Sequence, residues 1–171
     1  MRRGLWLIAA LLTTQAGCEA RLTETQEFAP LSELRLNVTV SRKEVMPGDT
    51  LSIRVTAYNP AGNPVQWPEY SCMPLMYRVY TPTGDRIAPP GDQVCFLTIP
   101  YVPGQPTQIG PVLEPGDSLT VVHQWAAIHD YGVPGPLQVL DPGAYMVVGG
   151  VAGEPNLLVE SAPDTVWVRA P

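Results

Sequence analysis

Between Leu113 and Val151 the chain reads L-E-P-G-D-S-L-T-V-V-H-Q-W, then a Gly/Pro-rich loop, then D-P-G-A-Y-M-V-V-G-G-V. Each Pro-Gly pair sets a turn, proline by fixing φ and glycine by accepting positive φ. Each turn opens a run of β-formers whose faces alternate. Leu119, Val121, His123 and Trp125 share one face of the first run, and Tyr145, Val147, Gly149 and Val151 share one face of the second. A period of two is that of a strand with one buried side. Twenty prolines and fifteen glycines, spread between such runs, exclude a helical chain, because proline lacks the donor a helix interior needs and glycine costs backbone entropy there.

The same pattern recurs along the chain. Leu34, Leu36, Val38 and Val40 alternate with polar residues, and after the Met46-Pro47-Gly48-Asp49 turn so do Leu51, Ile53, Val55 and Ala57. Asn37-Val38-Thr39 has the form of a glycosylation sequon but falls in mid-strand. Further strands are expected at Leu75–Tyr80, turning at Thr81–Asp85 toward Arg86-Ile87, and at Thr165–Arg169. About seven strands with turn signals between them predict an all-β fold, an immunoglobulin-like antiparallel β-sandwich.

The N-terminus has the plan of an export signal: Arg2-Arg3, an apolar run from Leu5 to Leu12, then small residues before a cysteine. The run is well short of the ~20 residues that span a bilayer. Gln15-Ala16-Gly17-Cys18 resembles the lipobox of bacterial lipoproteins, with Gln15 where those carry an aliphatic residue. The resemblance implies acylation of Cys18; the alternative is a secretory signal with an incidental cysteine. Residues 1–17 are therefore expected to be a lipoprotein signal peptide, 18–33 a polar, acidic tether, and 34–171 the β-sandwich domain. In an exported chain with Cys18 lipidated, Cys72 and Cys95 are most simply paired as one disulfide. The expected location is the cell envelope, with the chain anchored by lipid to the outer membrane or cell surface and facing the periplasm or the exterior.

V-T-A-Y-N-P-A-G-N-P-V at 55–65, Y-R-V-Y-T-P-T-G-D-R-I at 77–87 and the two Pro-Gly strands of 113–151 resemble, in that order and spacing, the BsuPI family of intracellular proteinase inhibitor-like domains. The resemblance covers about Leu34 to Val151. It implies an immunoglobulin-like sandwich and, for some members, proteinase inhibition by a rigid loop. The Pro-rich 88–111 segment, pinned by Cys95, fits that role.

Catalytic patterns are missing: the chain has no G-x-S-x-G, H-E-x-x-H, phosphate-binding or dinucleotide-binding glycine motif. His123 is expected to be hydrogen-bonded within the sandwich and His129-Asp130 to be a solvated loop pair. Asp117 and Asp141 lack calcium-loop spacing. No metal and no cofactor are expected. A formal charge of −6 would repel phosphate backbones, so nucleic acid is not an expected partner. Trp125, Tyr145 and Trp167 read as core or rim packing. The aromatics of the Pro-rich loops, Trp67, Tyr70, Phe96 and Tyr101, are the candidate contact residues. The expected function is a membrane-tethered, non-enzymatic binding module with a protein partner, a protease by family resemblance. The alternative is a structural or adhesive envelope protein touching a neighbouring protein or a glycan.

Overall fold

The computed structural model describes residues 27–67, 74–89, 112–132, 138–151 and 157–170. Cys18, Tyr70, Cys72, Cys95, Phe96 and Tyr101 lie outside these, as do the leader and most of the 88–111 loop.

A short 3-10 turn at Leu31–Glu33 leads into β1 (Arg35–Val40), β2 (Glu44–Val45), β3 (Leu51–Tyr58) and β4 (Val65–Gln66). Then come β5 (Leu75–Tyr80), β6 (Arg86–Ala88), β7 (Val112–Leu113) and β8 (Ser118–Trp125). The chain continues through β9 (Ile128–His129), β10 (Gln138–Val139), β11 (Gly143–Val151), β12 (Val159–Glu160) and β13 (Asp164–Val168). The predicted immunoglobulin-like sandwich is the observed architecture. One sheet has the order β1-β3-β8; the other runs β2-β13-β11-β5-β6 with β12 beside β11. All these pairings are antiparallel except β2 with β13, which is parallel. Small ribbons β4-β7 and β9-β10 complete the described strands.

The alternation read from the sequence decides which side chains enter the sandwich. Leu51, Ile53, Val55 and Ala57 of β3 are buried while Arg54 and Tyr58 are exposed. Leu75, Tyr77 and Val79 of β5 meet Tyr145, Val147 and Val151 of β11 in the same core. At Gly149 the two sheets approach closely: a Cβ there would stand 2.8 Å from Val55 Cγ1. At the next residue a Cβ on Gly150 would stand 2.3 Å from the Val159 carbonyl oxygen, so β12 packs against β11 only because that position has no side chain.

Asn59 joins the ends of β3 and β8. It is fully buried; its Nδ2 donates to Asn63 O (3.0 Å) and Leu113 O (2.9 Å), and its Oδ1 accepts the Ala61 N–H (2.9 Å). Its backbone exchanges bonds with the Pro-Gly-Asp turn, N–H to Asp117 O and C=O from Gly116 N–H. The two turns that looked separate in sequence are thus one hydrogen-bonded unit.

The stretch assigned as tether, 18–33, is not tether all the way to residue 33. The Ala29 N–H donates to Pro64 O at 2.8 Å, Ala29 bridges Val65, and Leu31 packs on the core. Residues 29–33 therefore belong to the folded domain, because their apolar side chains find a place beside β4.

Asp164 clamps the start of β13 to the other sheet. Its carboxylate accepts from the Val40 N–H (3.1 Å) and the Thr165 N–H (2.8 Å) and pairs with Lys43. Burial alone would raise the carboxyl pKa, but Lys43 and these two N–H groups outweigh it and hold it below the ordinary aspartate value of 3.8. A folded-state pKa below the unfolded one adds stability that is present above about pH 4 and is lost as pH falls through the folded value. Asp164→Asn is therefore expected to lower the urea midpoint at pH 7, with the deficit closing below about pH 4. A deficit of the same size at pH 2.5 would show that the charge contributes nothing.

Candidate functional site

Two places outside the plain apolar core carry chemistry. The first is a set of polar side chains between the sheets. Tyr77 of β5 reaches across to donate its hydroxyl to Gln124 O (3.4 Å), and His123 of β8 reaches back to bond Leu75 O through Nε2 at 3.1 Å. Their rings lie 5.1 Å apart. Because a carbonyl only accepts, Nε2 of His123 carries the proton, which leaves Nδ1 as the acceptor. Burial lowers the His123 pKa, and the bond to Leu75 opposes that only in part. Burial, and secondarily the charge of Asp130, pushes the Tyr77 phenol well above its usual range. Both groups are thus neutral near pH 7, and together they brace β5 against β8. The expectation for His123 matches this placement.

Asp130 differs from expectation. It and His129 are half-buried at the end of β9, not a solvated loop pair, because the Asp130 and Tyr131 N–H groups both donate to Ile87 O and draw the segment onto β6. The Oδ1 of Asp130 is buried without a hydrogen-bond partner. Burial raises its pKa, against the pull of its own backbone N–H and of His129. Arg86 does not answer it; its guanidinium stacks 3.9 Å over the Tyr131 ring, and its Nε is buried and unpaired. Among the described residues no group of three or more His, Cys, Asp or Glu is placed to hold a metal.

The second place is the outer face of the larger sheet. Since Tyr145, Val147, Gly149 and Val151 point inward, Ala144, Met146 and Val148 point outward. Trp167 of β13 pairs with Ala144, and Thr165 with Met146, which on its other side pairs with Tyr80. Tyr80 is directly opposite Met146, and Trp167 is diagonal to it, within reach of long side chains, so the three lie in one apolar row across this face. Trp167 is 54% exposed and Met146 36%.

These positions correct two readings of the tryptophans. Trp67 is not at an exposed loop tip: it is 2% exposed, and its Nε1 donates to Pro74 O at 2.9 Å. It follows Val65 on the inward parity of β4, where an indole fills the end of the sandwich. Trp167 is not core packing. Its neighbours Val166 and Val168 are the buried residues of β13, so the residue between them must face out. That parity is readable in T-V-W-V-R and is the signal that locates it. Trp125 and Tyr145 are buried as expected, with Trp125 Nε1 bonded to Ile128 O and the Tyr145 hydroxyl to Asp141 O.

No protein-family model and no curated protein matches the chain. Among solved structures, a β-glucosidase from Listeria innocua in complex with glucose aligns at TM-score 0.42 and 15% identity. A β-glucosidase from Erythrobacter marinus aligns at 0.43 and 15%. The alignments cover 80% and 79% of this chain but only 16% and 15% of those enzymes, so the chain spans about one-sixth of their length. An alkylpurine DNA glycosylase from Pseudomonas fluorescens, bound to DNA containing an abasic site analog, aligns at 0.43 and 14%, over 81% of this chain and 31% of that one.

Proposed function

We propose that this chain is a membrane-tethered, non-enzymatic immunoglobulin-like module that works by protein–protein contact. The observation that supports it is Trp167. A tryptophan more than half exposed on a sheet face, near exposed Met146 and half-buried Tyr80, is an arrangement of the residue types that anchor protein interfaces. Tyr77, His123, Asn59 and Asp164, by contrast, are spent on bracing the sandwich. The tether and the lipid at Cys18 rest on the resemblance of the leader to a lipobox, and place the module in the cell envelope. Among the described residues no helix is long and apolar enough to cross a membrane.

Trp167→Ala should separate binding from folding. Loss of an exposed side chain costs about 0.5 kcal/mol or less of stability, whereas removal of a central aromatic anchor costs 2 kcal/mol or more of binding, about 30-fold. The expected result is an unchanged melting temperature with loss of the partner captured by the unaltered protein from solubilised envelopes. Capture at full strength by Trp167→Ala overturns the assignment.

Proteinase inhibition enters this proposal through the resemblance to the BsuPI family alone, with the 88–111 loop as the inhibitory segment. Incubation with a panel of serine proteases tests it. Stoichiometric inhibition at micromolar protein supports inhibition, and rapid cleavage within 88–111 refutes it.

A further inference from the structure

Among the described residues, the hydrogen-bond phase of the smaller sheet leaves one long strand, β8, with an unpaired side. The Ser41 N–H donates to Ser52 O, so Ser52, Arg54 and Thr56 aim their backbone groups at β1. Asn59 donates to Asp117 O on the other side, so the hydrogen-bonded pairs of β3 with β8 are Ala57–Leu119, Val55–Val121 and Ile53–His123. The N–H and C=O groups of Ser118, Thr120, Val122 and Gln124 therefore point away from the sheet. Gln124 O accepts from the Tyr77 hydroxyl, in keeping with that direction. Those of Ser118, Thr120 and Val122 have no partner among the described residues.

Edge strands are usually blunted by lysine, proline, a bulge or shortness. β8 has none of these. Its eight residues run without a register shift against β3, and S-L-T-V-V-H-Q-W contains no proline and no Lys, Arg, Asp or Glu. The other edges are managed: Asp164 takes the Val40 N–H of β1, β6 has three residues, and β2 has two. Burial agrees. Val55 and Ala57 are fully buried, yet their partners Val121 and Leu119, facing the same core, are only half-buried. Among the described residues nothing covers the sandwich along this side.

We infer that the outer edge of β8 pairs with the same strand of a second copy of this chain, antiparallel and centred on Thr120. The sequence of β8 is complementary to itself in that register. Outward-directed backbone groups meet in the pairs Ser118–Val122, Thr120–Thr120 and Val122–Ser118. On the inner side Leu119 of one copy faces Val121 of the other, covering the half-buried residues. One step further Asp117 faces His123, which is neutral near pH 7, so no like charges meet at the joint. A second copy supplies the uncharged, alternating strand that this edge requires, and the two three-stranded sheets become continuous. The joint is on a different sheet from Trp167 and is independent of the function proposed above.

Cysteine crosslinking of the full chain reads the register. In a hydrogen-bonded antiparallel pair opposed Cα atoms are about 5.5 Å apart, within disulfide range. The two Thr120 Cα atoms meet this condition, whereas the two Ser118 Cα atoms are displaced by four residues, roughly 13 Å. Under mild oxidation Thr120→Cys is expected to give at least tenfold more disulfide dimer on a non-reducing gel than either the unaltered chain or Ser118→Cys. Adding Val122→Lys, at a position 50% exposed, should abolish that dimer while leaving the melting temperature within a few degrees. Thr120→Pro, which removes an outward N–H without touching the β3 ladder, should sediment as a monomer where the unaltered chain sediments as a dimer. A Thr120→Cys signal no higher than that of Ser118→Cys, a dimer indifferent to Val122→Lys, or an unaltered chain that stays monomeric at 100 μM overturns the inference.

Discussion

Trp67→Ala is expected to destabilise the domain by about 3–5 kcal/mol, the range for removing a large aromatic from a packed core. The indole is 2% exposed and contributes to the same core cluster as Leu75, Ile87 and Leu113, so its loss leaves a cavity that strands on both sides would have to collapse to fill. It would also strip the Pro74 carbonyl of its donor. A urea titration of Trp67→Ala beside Trp167→Ala checks this: the first should unfold several molar units earlier or fail to fold, and the second should superimpose on the unaltered protein. Equal, small shifts would mean that Trp67 is a surface residue after all.

Asn59 carries the other large effect, for a different reason. Asn59→Ala removes one buried and two part-buried hydrogen bonds at once and leaves the Asn63 and Leu113 carbonyls and the Ala61 N–H without their side-chain partner. At about 1–3 kcal/mol for each buried group left unsatisfied, a loss of about 3 kcal/mol or more is expected. Asn59→Asp, nearly the same in shape, should be worse at pH 7. It retains an acceptor for Ala61 but turns a carboxylate toward two carbonyl oxygens in a site with no exposure. Its deficit should shrink on acidification as the carboxyl becomes protonated and can donate again. Denaturant midpoints of both variants at pH 7 and pH 4 separate the two causes. An Asp variant more stable than the Ala variant at pH 7 would contradict the hydrogen-bond assignment.

The strands were legible because parity is a local property. Leu51 to Ala57, Leu119 to Trp125 and Tyr145 to Val151 announce their inward faces by alternation, and the Pro-Gly turns announce their starts. What parity says about tryptophan was also present, in V-Q-W for Trp67 and V-W-V for Trp167, but the proline-rich surroundings of Trp67 pointed to a loop tip. Other features depend on partners far along the chain. Asp164 takes the Val40 N–H across 124 positions, and Asn59 bonds Leu113 across 54. Nothing in the flanking residues of either position encodes such a pairing. The half-buried state of Asp130 is likewise a consequence of β9 meeting Ile87, which no spacing in I-H-D-Y reveals. The candidate contact face was hardest to see, because it is assembled from single residues of β13, β11 and β5.

In the proposed function the outer face around Trp167 is where this module meets another protein. A photoreactive phenylalanine analogue placed at position 167, and separately at position 54 on the opposite sheet, tests it in intact cells. Illumination is expected to join position 167 to a protein other than the chain itself, and position 54 to none. No protein adduct from position 167, or the same adduct from both positions, would contradict the account.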